Sequence, residues 1–129
     1  MQSNRSKNTQ PELALRRALY ARGLRYRVCA RPVPELRQTA DVIFRSVKVA
    51  VEVYGCFWHG CPEHYRAPSA NSEFWSKKVE QNRRRDNENA QRLRSAGWTL
   101  EVVWEHEDPE IAAERVKACV QRRKTARIE

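Results

Sequence analysis

The sequence predicts an α/β domain, a mixed sheet with helices around it. Three observations carry that reading. Helical and extended apolar patterns follow one another in the order α-β-β-β-α-β-α. Capping chemistry marks two helix starts, at Thr9 and at Asp108. Gly23 and Gly97 stand where helical patterns stop and extended ones begin. With 129 residues, 40% of them hydrophobic, the chain suits one domain with one core, residues 1–129.

Each element has its own warrant. Residues 1–8 are polar, small and basic and read as a flexible arm. Thr9 fits an N-cap, with Pro11 in the first turn and Glu12 three residues on. Leu15, Ala18 and Leu19 follow at helical spacing, and Gly23 closes the helix. Leu24, Tyr26 and Val28 alternate with Arg25 and Arg27, which predicts a strand. Arg31-Pro-Val-Pro34 is a loop. Residues 40–44 and 47–53 predict two strands joined by a polar turn at Arg45-Ser46. In the second, Val47, Val49, Val51 and Val53 share one face, and Lys48, Ala50, Glu52 and Tyr54 the other.

Residues 72–96 predict a long helix. Trp75, Val79, Asn82, Asp86, Asn89 and Leu93 lie near one of its faces. Polar Asn82 and Asp86 are out of place in a purely apolar stripe. Trp98, Leu100, Val102 and Trp104 alternate as a strand. Asp108-Pro109 opens a last helix that carries Ile111, Val116 and Cys119. Residues 120–129, with Arg122, Arg123 and Lys124, read as a basic tail.

Charge narrows the partners. Lys and Arg number 25 against 16 acids, a formal net charge of +9. That excess favours a polyanion, nucleic acid first, although a basic surface also serves solubility. No apolar run approaches a membrane span and no signal-peptide pattern opens the chain, so the expected setting is cytoplasmic, near the nucleoid, without membrane contact. Four Cys in that setting read as reduced thiols or metal ligands.

The stretch Gly55-Cys-Phe-Trp-His-Gly-Cys-Pro-Glu-His64 concentrates the chemistry. Cys56, Cys61 and His64 have the spacing C-x4-C-x2-H, which suits a structural zinc completed by a distant ligand. His106 is the best remaining candidate for that ligand, with Cys119 and Cys29 as rivals. His59 falls outside the ligand spacing, so its imidazole is either a solvated loop side chain or a base able to take a proton from water. Phe57 and Trp58 are either anchors beneath the loop or wedges between bases. Asp41 interrupts an apolar run, and Glu52 lies on the next strand. Two carboxylates on neighbouring strands of a basic domain suit Mg²⁺ at a phosphodiester, because that ion takes hard oxygen ligands. Surface acids on a strand are the plainer alternative.

These residues also carry a resemblance. Arg5-Ser-Lys-Asn8, Glu12, Asp41, Gly55-Cys-Phe-Trp-His59, Glu73-Phe-Trp75, Asn82 to Asp86, Ala96-Gly-Trp98 and Val103-Trp-Glu105 occur in order across residues 4–107. The chain resembles the very short patch repair (Vsr) DNA mismatch endonucleases, whose fold is the restriction-endonuclease-like PD-(D/E)XK type. The resemblance implies a nick in one strand of double-stranded DNA, 5′ to the T of a T:G mismatch left by deamination of 5-methylcytosine. It implies Asp41 and the backbone carbonyl of Val53 as Mg²⁺ ligands, His59 as general base and Glu12 as its aid. It implies Phe57, Trp58 and Trp75 as wedges at the mismatch, and an arm around Ser6, Lys7 and Asn8 that reaches the DNA from the other groove. Cys56, Cys61, His64 and His106 fall at or beside the family's zinc positions. A single-strand nick needs one active site, so a monomer is expected, and repair proteins are conceivable partners.

The chain departs from the family pattern in three places. Tyr54 stands where the family has His or Asp. Glu52 stands where a hydrophobic residue is frequent, and Glu52-Val-Tyr54 looks like the E-x-K arm of restriction enzymes with Tyr in place of Lys. His64 is offset by one from the usual third zinc ligand. Two other functions fit the residues: a zinc-bearing DNA-binding module without catalysis, and a restriction or homing nuclease of different specificity.

Overall fold

The computed structural model describes residues 9–34, 36, 38–56, 61 and 70–128, with side chains through Thr125. Seven elements follow in the expected order: α1 (Gln10–Ala21), β1 (Arg27–Ala30), β2 (Ala40–Phe44), β3 (Val49–Tyr54), α2 (Ser72–Ser95), β4 (Thr99–Trp104) and α3 (Pro109–Ile128). The four strands form one mixed sheet in the order β1-β2-β3-β4. The first two pairings are antiparallel and β3–β4 is parallel. A parallel neighbour requires a crossover, and α2 supplies it.

Helices cover both faces. Leu15, Ala18 and Leu19 of α1 and Ala112, Ala113, Val116, Cys119 and Val120 of α3 pack on Val42, Phe44, Val49, Val51 and Val103. On the opposite face, Leu93 of α2 and Trp98 join Ala40, Ile43 and Ala50. The period-2 alternation of β3 thus sends its valines to α1 and α3, and Ala50 toward α2. Among the described residues no helix is long and apolar enough to cross a membrane.

Local signals set the helix ends. Thr9 Oγ1 accepts the Glu12 N–H at 3.4 Å, and Pro11 lies in the first turn. Asp108 Oδ1 accepts the Glu110 N–H at 2.8 Å at the start of α3. Gly23 and Gly97 follow α1 and α2 with φ of +83° and +88°, a region that side chains with a Cβ enter only at a cost.

Some boundaries differ from the sequence reading. The third strand begins at Val49 rather than Val47, because residues 45–48 form the turn and Lys48 takes φ +58°. Val47 stays 2% exposed, so its place in the apolar pattern reports burial rather than strand pairing. Leu24 and Tyr26 likewise pack on the core while pairing with β2 begins only at Arg27. Ile111 is 66% exposed, since the core-facing stripe of α3 runs through Ala112, Ala113, Val116 and Cys119. Helix α3 continues through the basic residues to Ile128, and Arg123 donates to the carbonyls of Val47 and Gly97, both at 2.9 Å.

The burial contrast is directly testable. Leu19→Ala removes a fully buried side chain and should cost about 2–5 kcal/mol, whereas Ile111→Ala should stay within about 0.5 kcal/mol of wild type. Urea unfolding of both variants checks it; equal losses would mean that Ile111 is covered.

Candidate active site and metal-binding group

Antiparallel pairing of β2 and β3 brings two carboxylates together. Val42 pairs with Val51, so one step along the same register Asp41 faces Glu52. Asp41 is tied to the backbone of the neighbouring strand: its Oδ2 accepts the Val53 N–H at 2.6 Å. A carboxylate taking a backbone N–H is held in one orientation, which a metal ligand needs.

The surroundings of Glu52 are strongly acidic. Burial first, then the charge of Asp41, push its carboxyl up to about 8, and Asp86 and Glu12 add to the rise. Such crowding disfavours ionisation until a positive charge arrives. A divalent cation bound between these oxygens would supply it.

Glu12 reaches the same cluster from α1. It is 4% exposed, the one buried charged side chain among the described core residues. Arg16 pairs with it, NH2 to Oε2 at 3.1 Å. Its N–H serves the Thr9 cap while its carboxylate is engaged elsewhere, so capping and a place in the site coexist.

Helix α2 contributes from above. Its buried and half-buried positions are Trp75, Val79, Asn82, Asp86, Asn89, Ala90 and Leu93, and its other positions are exposed. The polar interruption has a structural reason: Asp86 lies close enough to Glu52 and Tyr54 for its charge to act on both. The sequence reading gave Asp86 no role of its own. The signal was there, as an acid on the inward stripe of a helix. Near the helix start, half-buried Trp75 packs edge-on to Phe74, centroids 5.1 Å apart, and Phe74 is 57% exposed.

The parallel pair β3–β4 builds the second centre. Tyr54 pairs with Trp104, an offset of 50 that, two residues on, brings Cys56 beside His106. Cys56 Sγ lies 3.3 Å from His106 Nδ1, and Cys61 Sγ lies 3.6 Å from the same nitrogen. The Cys61 N–H donates to the Cys56 carbonyl at 2.9 Å, closing a tight loop. Both thiols are buried and His106 is exposed. Cys56 is pushed up to about 11, by burial and then by Cys61.

These three groups could hold a metal ion. Their spacing fits zinc chemistry: bonds of about 2.3 Å to sulfur and 2.0–2.1 Å to nitrogen at a tetrahedral angle set the donors about 3.6 Å apart. Cys119 sits 2% exposed in the α1–α3 core and Cys29 lies in β1, so neither rival joins the group. His64, the third residue of the sequence spacing, lies outside the described residues, as do His59, Phe57, Trp58, Ser6, Lys7 and Asn8.

Comparison with known proteins follows the same lines. The family described as DNA mismatch endonuclease Vsr matches residues 1–65. The type II nicking enzyme V.NaeI of Lentzea aerocolonigenes is 46% identical over 110 residues, 84% of this chain and 66% of that protein. The type II nicking enzyme V.XorIIP of Xanthomonas oryzae pv. oryzae is 39% identical over 114 residues, 88% of this chain and 82% of that protein. The type II nicking enzyme V.NmeDIP of Neisseria meningitidis serogroup C is 41% identical over 126 residues, 94% of this chain and 83% of that protein. The chain belongs to the DNA mismatch endonuclease Vsr family and, with it, to the DNA endonucleases.

Proposed function

We propose that this protein nicks one strand of double-stranded DNA, 5′ to the T of a T:G mismatch, by Mg²⁺-dependent hydrolysis. The convergence of Asp41 and Glu52, opposite one another on neighbouring strands with the charges of Asp86 and Glu12 acting on them, carries the reading. The named nicking relatives and a net charge of +9 support it. The mixed sheet with an acid on β2 and Glu52-Val-Tyr54 on β3 supports a PD-(D/E)XK fold.

In this mechanism Asp41, Glu52 and the Val53 carbonyl would hold Mg²⁺. When bound, that ion neutralises phosphate charge and acidifies water. His59 takes a proton from water as the water oxygen bonds to phosphorus. The bond from phosphorus to its bridging oxygen breaks, and that oxygen takes a proton from a second water molecule. Glu12 orients the base. Cys56, Cys61, His106 and His64 would hold the zinc. Because Cys56 and Cys61 flank residues 57–60 in the chain, zinc there would fix both ends of the segment that carries Phe57, Trp58 and His59. Phe57, Trp58 and Trp75 enter beside the mismatch, where unstacking costs least. Ser6, Lys7 and Asn8 contact the DNA from the other groove. The enzyme acts as a cytoplasmic, nucleoid-associated monomer.

The deciding assay incubates T:G and T:A duplexes of one sequence with the zinc-loaded protein and Mg²⁺. A nick on T:G alone is expected. Cutting of both duplexes would move the reading to a restriction-type nuclease, and cutting of neither to a DNA-binding module.

Two sets of variants extend the test. Asp41→Asn should remove nicking at any Mg²⁺ concentration, whereas Glu52→Gln should raise the Mg²⁺ midpoint with a modest effect on the saturated rate. An unchanged midpoint for Glu52→Gln would release Glu52 from the metal. Metal analysis should find one zinc per chain, lost in Cys61→Ala and kept in Cys119→Ala. Undiminished zinc in Cys61→Ala would contradict the ligand set.

A further inference from the structure

Tyr54 stands at the carboxylate site with no role in the chemistry above. It follows Glu52 by two positions, so β3 turns both toward α2. Its ring meets Trp104 edge to face, with centroids 5.3 Å apart and an interplanar angle of 81°. The pairing of Tyr54 with Trp104 and the Glu105 N–H donated to the Tyr54 carbonyl at 2.9 Å fix the backbone beneath that ring. The hydroxyl is therefore carried by a fixed ring at the end of β3, within reach of the charges of Asp86, Glu52 and Asp41.

The chemistry of the cluster says what such a group is for. Asp41, Glu52, Asp86 and Glu12 are acceptors when ionised. A phosphodiester adds two negatively charged non-bridging oxygens, which are acceptors too. A site of this composition needs donors as well as a cation. A lysine at position 54 would be drawn into ion pairs with the carboxylates and would compete with the cation for them. A phenol donates a hydrogen bond without carrying charge.

We propose that the Tyr54 hydroxyl is a catalytic group that donates a hydrogen bond to a non-bridging oxygen of the scissile phosphate. It stands in the E-x-K position as a neutral donor, and the positive charge is left to the metal. The proposal rests on the nicking reading.

The experiment compares wild type with Tyr54→Phe, which keeps the ring against Trp104 and removes only the hydroxyl. Single-turnover nicking at saturating Mg²⁺ and DNA should slow by about 10²-fold, at the low end for loss of one preorganised donor. Melting temperature, and DNA affinity measured with Ca²⁺ in place of Mg²⁺, should match wild type. Sulfur in place of one non-bridging oxygen should slow wild type and add little to the loss in Tyr54→Phe, since the contact is already gone. A wild-type rate in Tyr54→Phe would overturn the proposal, leaving the ring as packing. A slowed rate with a parallel fall in melting temperature would also overturn it, as would an undiminished sulfur effect. Absence of nicking by wild type would instead remove the nuclease reading, and this inference with it.

Discussion

Asp41 accepts the Val53 amide across the β2–β3 ladder at 2.6 Å, and the arrangement of the carboxylates depends on that bond. It fixes a carboxylate at the point where the two strands face each other. The strand pair also carries Glu52, which faces Asp41 across the ladder. Two acids held this way repel, and separation would relieve them. They cannot separate, because the residues behind them are core: Val42, Val49 and Val51 are essentially inaccessible to solvent. Hydrophobic burial on the α1–α3 side thus maintains electrostatic crowding on the α2 side. Burial first, and the charge of Asp41 after it, raise Glu52, and a divalent cation would supply the charge that offsets both.

The parallel β3–β4 register extends the same frame to the metal-binding group. One offset, set by Val49 against Thr99, places Cys56 beside His106 at the far end of both strands. Only Gly55 separates Tyr54, at the end of β3, from Cys56. Strand β3 therefore carries Glu52 of the carboxylate cluster and leads directly into Cys56 of the thiol–imidazole group. Arg115 reinforces the outer strand, donating to the Val102 carbonyl at 2.8 Å while pairing with Glu107, which itself accepts the Trp104 N–H at 2.8 Å. These contacts occupy backbone groups along the open edge of β4, an edge that would otherwise invite pairing with another chain.

Much of this was legible in the sequence where local rules decide. The Thr9 cap, the Asp108–Pro109 start, the glycines after α1 and α2 and the strand 40–44 all follow from short-range chemistry. What was not legible depended on tertiary partners. The turn through Lys48 shortened a strand whose valine pattern ran on, because Val47 is buried without being paired. Ile111 fell outside the core because α1 and the sheet select the alanine face of α3. Asp86 was visible as a polar residue on an inward stripe, but its proximity to Glu52 needed the packing of α2. His106 was the best remaining histidine by elimination, and only the strand register gives the reason.

Thermal unfolding of the zinc-loaded protein with and without added Mg²⁺, for wild type and Asp41→Asn, tests the central claim most directly. An ion that binds only the folded state adds about 2.7 kcal/mol of stability at 100 times its dissociation constant. If the Asp41–Glu52 pair is the cation site, the melting temperature of wild type rises with Mg²⁺ and that of Asp41→Asn does not. An equal rise in both proteins, or none in wild type, would contradict it.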